Sequence, residues 1–171
     1  MKYYIAQVLT GEERKYITLV KAMHKLSNIK IYFPTKIVKE RQREKILTKE
    51  KPLFKGYIII ELQDNDDIKH YIKSFRTTTG FVRFLKNNTD VTELSTHDRE
   101  IIKNIIQQKE IGISKVTFDE NDKIVVLSGV MKGMEGSIVK VNKRKRRAQI
   151  KLLLCEETFT IDLSFEVIQN A

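Results

Sequence analysis

The sequence predicts an α+β fold followed by a small all-β barrel. Three observations carry this expectation. Up to residue 109, short apolar runs with strand character alternate with stretches of helical period. Beyond residue 122 the period becomes that of strands. Gly129, Gly133 and Gly136 then fall between the first two of those strands, where turns need positive φ or close backbone approach. The expected organisation is an α/β sandwich with helices on a mainly antiparallel sheet over 1–109, a linker over 110–121, and a five-stranded barrel over 122–171.

Taking the elements in order, residues 2–9 (KYYIAQVL) are aromatic and β-branched and read as a buried strand. Thr10 and Glu13 have capping-box spacing, and Tyr16, Val20, Met23 and Leu26 give an amphipathic helix over 11–26. Residues 35–40 and 44–50 read as two strands around the polar tip Arg41-Gln42-Arg43, and Tyr57–Leu62 as another. Asp64, Asp66 and Asp67 cap a helix over 66–75, with Ile68, Ile72 and Phe75 on one face. Phe81–Leu85 is a further strand. Ser95 and Asp98 form a second capping box, and Ile101, Ile102, Ile105 and Ile106 stripe the last helix. Residues 110–121 (EIGISKVTFDEN) are acidic and lack a sustained period, so they read as linker. Strands follow at 123–127, 136–143, 146–154, 157–162 and 165–168.

The 171 residues carry 32 Lys+Arg against 22 Asp+Glu, a formal charge of +10. That balance points to a polyanion only where the charge is clustered, and it is. Between Lys36 and Lys55 there are eight basic and three acidic residues; between Lys140 and Lys151, seven basic and none acidic. The second stretch contains an uninterrupted Lys143-Arg144-Lys145-Arg146-Arg147, whose like charges repel unless a polyanion lies among them. A solubilising surface turn is the bland alternative.

Other classes find little support. Charge arrives in the first fifteen residues before any apolar stretch long enough for a signal peptide, and no run suits a membrane span. A cytoplasmic protein without a membrane partner is expected. The single cysteine, Cys155, allows no internal disulfide and lies in an apolar strand. His24, His70 and His97 are dispersed, and the Asp64–Asp67 cluster lacks the glycine and glutamate of a calcium loop. No phosphate-cradling glycine loop is present. Neither an enzyme nor a cofactor or metal site is expected.

Several segments together resemble one family. They are Tyr3-Tyr4 opening the first strand, Thr10-Gly11-Glu12-Glu13, Phe33-Pro34, L-F-K-G-Y-I-I-I-E-L at 53–62, G-F-V-R-F at 80–84, and D-K-I-V-V-L-S-G-V-M-K-G-M-E-G-S-I-V-K-V-N at 122–142. Over essentially the whole chain these resemble the NusG family of transcription elongation factors, in which an NGN domain precedes a small SH3-like KOW barrel. The resemblance implies that the NGN domain docks on the clamp helices of bacterial RNA polymerase through Tyr57, Ile59 and Phe84, with the core as the alternative place for Ile59 and Phe84. It places His70, near the R-T-T-T segment at 76–79, toward the opposite lobe. A monomer that holds the clamp closed and suppresses pausing is expected.

Departures from the family pattern suggest a specialised paralogue similar to the LoaP antitermination factors, recruited by an RNA hairpin in the nascent transcript. Lys55 stands where general members usually have proline, and Leu154 falls where many present a loop phenylalanine to a ribosomal or termination protein. The basic turn would hold the hairpin through Lys143, Arg144, Lys145, Arg146 and Arg147, extended by Lys132 and Lys151. Arg14, Lys15, Arg41 and Arg43 are a more diffuse alternative set, for the displaced non-template DNA strand. The competing expectation is a general NusG-type adaptor whose KOW domain binds a ribosomal or termination protein instead of RNA. The strand signals and turn glycines of 122–171 predict a barrel rather than a helical hairpin in the free protein.

Overall fold

The structure is a computed structural model that describes every residue except Ser27, Arg43, Glu44, Asn88, Thr89, Lys109, Glu110 and 169–171, with backbone only for the other residues of 39–46 and 86–90. It has two compact units. One comprises Met1–Phe33 with Phe54–Arg99, the other Pro34–Leu53 with Glu100–Ala171. This division by compactness is not linear in the sequence, because the hairpin at 34–53 groups with the C-terminal strands.

The first unit is built on an antiparallel sheet of β1 (Lys2–Val8), β2 (Ile29–Tyr32), β5 (Tyr57–Leu62) and β6 (Phe81–Phe84), in the order β2-β5-β1-β6. Register pairs Ile5 with Ile59, Ile31 with Ile60 and Ala6 with Phe84. One face presents Tyr4, Ala6, Val8, Ile58, Ile60 and Leu62 to Tyr16 and Val20 of α1 (Glu13–Met23) and Phe75 of α2 (Ile72–Thr77). The Tyr16 hydroxyl donates to the Phe75 carbonyl at 2.8 Å, so that buried polar group is satisfied. The opposite face is buried over part of its length, at Tyr3, Ile5 and Ile59. There Glu61 accepts from the Tyr3 and Tyr32 hydroxyls at 2.9 and 3.1 Å and pairs with Lys30 at 3.2 Å.

Three local expectations change. β2 was not anticipated between α1 and the hairpin; Ile29 and Ile31 face the core and Lys30 faces out, too short a pattern to separate from a loop. The expected Thr10–Glu13 capping box is absent. Glu12 caps α1 without a side-chain bond, while the buried Glu13 carboxylate accepts from the Gly56 amide at 2.7 Å. The expected helix over 66–75 is a 3₁₀ turn, Ile68–His70, capped by the Asp67 carboxylate, followed by α2. The Ser95 cap is present: its hydroxyl accepts from the Asp98 amide at 3.2 Å at the start of α3 (Thr96–Gln107). The two-residue strands β7 (Lys86–Asn87) and β8 (Asp90–Val91) form a minor ribbon.

In the second unit β3 (Thr35–Gln42) and β4 (Lys45–Pro52) pair as a two-stranded hairpin. The remaining strands are β9 (Ser114–Phe118), β10 (Ile124–Ser128), β11 (Ile138–Asn142), β12 (Arg147–Leu154) and β13 (Glu157–Val167). They form a curled sheet in the order β10-β9-β13-β12-β11, a small β-barrel. The eleven-residue β13 pairs antiparallel with β12 up to Ser164, then parallel with β9 from Phe165. Ala148, Ile150, Leu152, Ile161, Leu163 and Phe165 alternate inward to fill the core.

β9 occupies residues expected to be linker. Val116 is fully buried and the Ser114 hydroxyl, also buried, accepts from the Met131 amide at 3.2 Å. Gly129 has φ +99°, and a Cβ there would lie 2.7 Å from the Ser114 Cα. The acidic run that suggested a linker is the β9–β10 turn: the Asp119 carboxylate accepts from the amides of Asn121 and Lys123.

Candidate functional site

Lys143–Arg146 form the four-residue turn between β11 and β12. Asn142 shapes it from within, its Oδ1 accepting from the Lys145 amide at 2.8 Å. The Arg146 amide donates to the Lys143 carbonyl at 3.1 Å, and Arg146 takes the left-handed φ of 49° that returns the chain to β12. Its carbonyl then accepts from the Phe165 amide at 2.9 Å, tying the turn to β13. The basic run is therefore displayed on a bonded frame. Lys143, Arg144, Lys145 and Arg146 are exposed and Arg147 half-buried.

These cations are not equivalent. Lys143 pairs with the Asp122 carboxylate and stands 4.1 Å over the Phe118 ring. That engagement fixes Lys143 and leaves Arg144, Lys145, Arg146 and Arg147 as the larger share of charge turned outward. Lys151 is exposed farther along β12. Lys132 is exposed in the separate Gly129–Gly133 turn, where its amide donates to the Gly129 carbonyl.

The apolar set is split by register. Tyr57 and Ile59 share one face of β5, but Phe84 lies opposite Ala6, which lies opposite Ile58. Phe84 thus belongs to the helix-covered face, packed against Phe75 and Phe81 at centroid distances of 5.7 and 5.1 Å. Ile59 and Phe84 are each 1% exposed. Their place is the core, the alternative stated above, so neither presents a surface in this conformation. Tyr57 is half-buried, in one row with Gln7 and Arg83, and the Arg83 Nε donates to Gln7 Oε1 at 2.8 Å. Leu9 and Val82 are exposed apolar side chains on this unit that sequence reasoning missed; both break the alternation near the β1–β6 irregularity.

His70 is exposed at the end of the 3₁₀ turn, its Nδ1 3.6 Å from Asp66 Oδ1. The Tyr71 hydroxyl at 2.6 Å holds the Asp66 carboxyl below its ordinary value, with the Asp67 amide and His70 adding to the effect. Thr77 and Thr78 of the R-T-T-T segment bond back to carbonyls of α2. Of the diffuse basic set, Arg14 lies over the Phe33 ring at 5.7 Å and Lys15 pairs with Glu12 at 3.4 Å. The Arg41 side chain and Arg43 fall outside the described residues. Leu154, expected where relatives present a loop phenylalanine, is buried at 1% exposure, and its neighbour Leu153 is the exposed one at 64%. The alternation of β12 turns residue 154 inward just before the Cys155–Glu156 turn.

Similarity to known proteins agrees with this architecture. The sequence profile described as transcription termination factor NusG matches residues 1–103. The transcription termination/antitermination protein NusG of Neisseria meningitidis serogroup B is 24% identical over 179 residues, covering 99% of this chain and 97% of the relative. That of Chlamydia pneumoniae is 25% identical, covering 99% and 94%, and that of Escherichia coli K12 is 21% identical, covering 99% and 96%. A solved structure described as domain interaction in Thermotoga maritima NusG superposes with a TM-score of 0.50 at 16% identity, over 95% of this chain and 93% of that one, which is a likeness of fold. With the family profile spanning more than half of its 171 residues, the chain belongs to the NusG family of transcription termination and antitermination factors.

Proposed function

We propose that this NusG-family chain is an antitermination factor that binds RNA polymerase through its N-terminal NGN domain and is recruited by a nascent RNA hairpin through its C-terminal KOW barrel. The observation that carries the proposal is the run Lys143–Arg147: five consecutive cations on a tight, hydrogen-bonded turn and the first residue of β12. Arginine forks bracket phosphates bidentately, and a rigid turn holds them at fixed spacing. Such charge density supports a specialised member, similar to the LoaP factors, rather than a general one. On the N-terminal side the surface offered to the polymerase clamp helices is the row Tyr57, Gln7 and Arg83 with exposed Leu9 and Val82 nearby in sequence. Ile59 and Phe84 act there as packed supports, and His70 faces the second jaw.

One observation favours the competing adaptor role. Leu153, exposed beside the β12–β13 turn, is an apolar anchor suited to a ribosomal or termination protein.

The test uses the full chain and a structured RNA hairpin titrated across a salt series. Neutralised phosphates release counterions, so affinity falls steeply with salt. Replacing Arg144, Arg146 and Arg147 by alanine lowers the log–log slope by about two to three and leaves polymerase binding intact. Tyr57→Ala does the reverse. An unchanged slope in the triple variant refutes the turn as the RNA site.

A further inference from the structure

The outward face of the barrel beside the basic turn carries more than cations. Along β12, Ala148, Ile150 and Leu152 point inward and Arg147, Gln149 and Lys151 outward. Register sets Lys140, Gln149 and Asp162 in one row across β11, β12 and β13, and Asn142 and Arg147 in the next. Together with Lys145 of the turn, these residues line a shallow polar concavity of about 210 Å³.

Its composition is three cations, two amides and one carboxylate. A carboxylate is out of place in a site for phosphate alone, because it repels the ligand that the cations attract. The Asp162 carboxylate accepts a long 3.4 Å bond from Gln149 Nε2, while its backbone carbonyl takes the Lys36 ammonium at 2.5 Å. Its acceptor capacity is thus largely unspent, and it faces solvent. Fork donors beside an acceptor-only carboxylate form a set for base edges rather than for backbone. Guanine alone among the four RNA bases offers two adjacent donors, N1–H and N2–H₂, that suit one carboxylate, together with O6 and N7 acceptors that suit an arginine fork.

We propose that this concavity binds one unpaired guanine base of RNA. Asp162 accepts from N1–H and N2–H₂, and Arg147 donates to O6 and N7 with Gln149 alongside. The base is unpaired because a paired guanine has its N1–H and N2–H₂ in use, and A-form helices close the groove where O6 and N7 lie. The inference rests on the RNA-binding role proposed above. It adds sequence selection, which phosphate contacts from the turn do not supply.

The test is fluorescence anisotropy of the full-length protein with hairpins that share one stem. Each has an all-uridine loop carrying a single guanosine, inosine, adenosine or cytidine at its centre. The guanosine hairpin binds about 10- to 100-fold tighter than the adenosine or cytidine one, the range of one good bidentate base contact. Inosine, lacking the 2-amino group, falls between. Asp162→Asn, an exposed and nearly isosteric change, removes the guanosine preference and keeps the salt slope. Arg144→Ala lowers the slope by about one and keeps the preference. Equal binding of all four hairpins with a steep salt slope overturns the guanine site and leaves the RNA role standing. So does an Asp162→Asn variant that still prefers guanosine. Absence of salt-dependent binding to every hairpin overturns the RNA role itself, and the guanine site with it.

Discussion

Cutting the chain on either side of β9 separates two accounts of where the C-terminal barrel begins. A fragment of residues 112–171 keeps Ser114–Phe118, whereas 122–171 removes a strand that lies between β10 and β13. The loss has several parts. Val116 is fully buried, and a buried valine contributes about 1.5–3 kcal/mol. Phe118 stands edge-on to Phe165 at 6.2 Å, a contact worth about 0.5–1.5 kcal/mol beyond area. The ladder from β9 to β10 and to β13 is lost as well, at about 1 kcal/mol per net hydrogen bond. The sum is on the order of 5 kcal/mol or more. A core of this size rarely supplies more than about 3–5 kcal/mol, so the shorter fragment has nothing left to fold with. Far-UV circular dichroism followed through a thermal melt reads the outcome. Residues 112–171 give a strand spectrum and a cooperative transition, and 122–171 give neither. A cooperative melt of the 122–171 fragment refutes the assignment of β9 to the barrel core.

Three further outcomes are expected. Gly129→Ala destabilises the full chain by several kcal/mol in urea unfolding, because the added Cβ meets the Ser114 backbone at 2.7 Å and φ is +99°; Gly133→Ala, at φ +85° with nothing within 4 Å, costs only about 1 kcal/mol. Glu13→Ala leaves the buried Gly56 amide without its 2.7 Å partner and lowers stability by about 1–3 kcal/mol, while Glu13→Gln keeps an acceptor and loses less. Burial, and for Tyr32 the adjacent Glu61 charge and hydrogen bond, push the Tyr4 and Tyr32 phenols up to about 12. Since the unfolded phenols titrate near 10, their contribution is whole below about pH 10 and is lost as pH rises toward 12, so the urea midpoint falls across that window. A midpoint flat from pH 9 to about 12 contradicts it.

Some of the candidate site was legible because it depends on local chemistry. The run at 143–147 is contiguous, and the four cations that make up a four-residue connection between two strands have nowhere to go but the surface, with Arg147 following on β12. Face assignment in the N-terminal sheet was not legible. Counting residues along β5 correctly unites Tyr57 with Ile59, but Phe84 joins a face only through its pairing with Ala6, beside an irregularity between Gln7 and Val8. Likewise Lys143 reads as one more cation until Phe118 and Asp122 arrive beneath it from another strand pair. The guanine-binding row is invisible along the chain, since Lys140, Gln149 and Asp162 meet only across three strands.

The sequence by itself determined the class of each long element, the mixed α and β character of the first half, the strand character of the second, and the density of charge at the turn. Apolar periodicity, glycine placement and like-charge repulsion act over a few residues, so their consequences are readable locally. The tertiary structure decided what pairing and burial settle. It drew S-K-V-T-F into the barrel as β9 with Val116 as its fully buried apolar anchor, and it turned Glu13 from a helix cap into the acceptor for Gly56. It also sent Phe84 and Ile59 to opposite sides of one sheet. In each case the deciding partner is distant in sequence, and a hydrogen bond or a buried contact forms only once the fold has brought the two together.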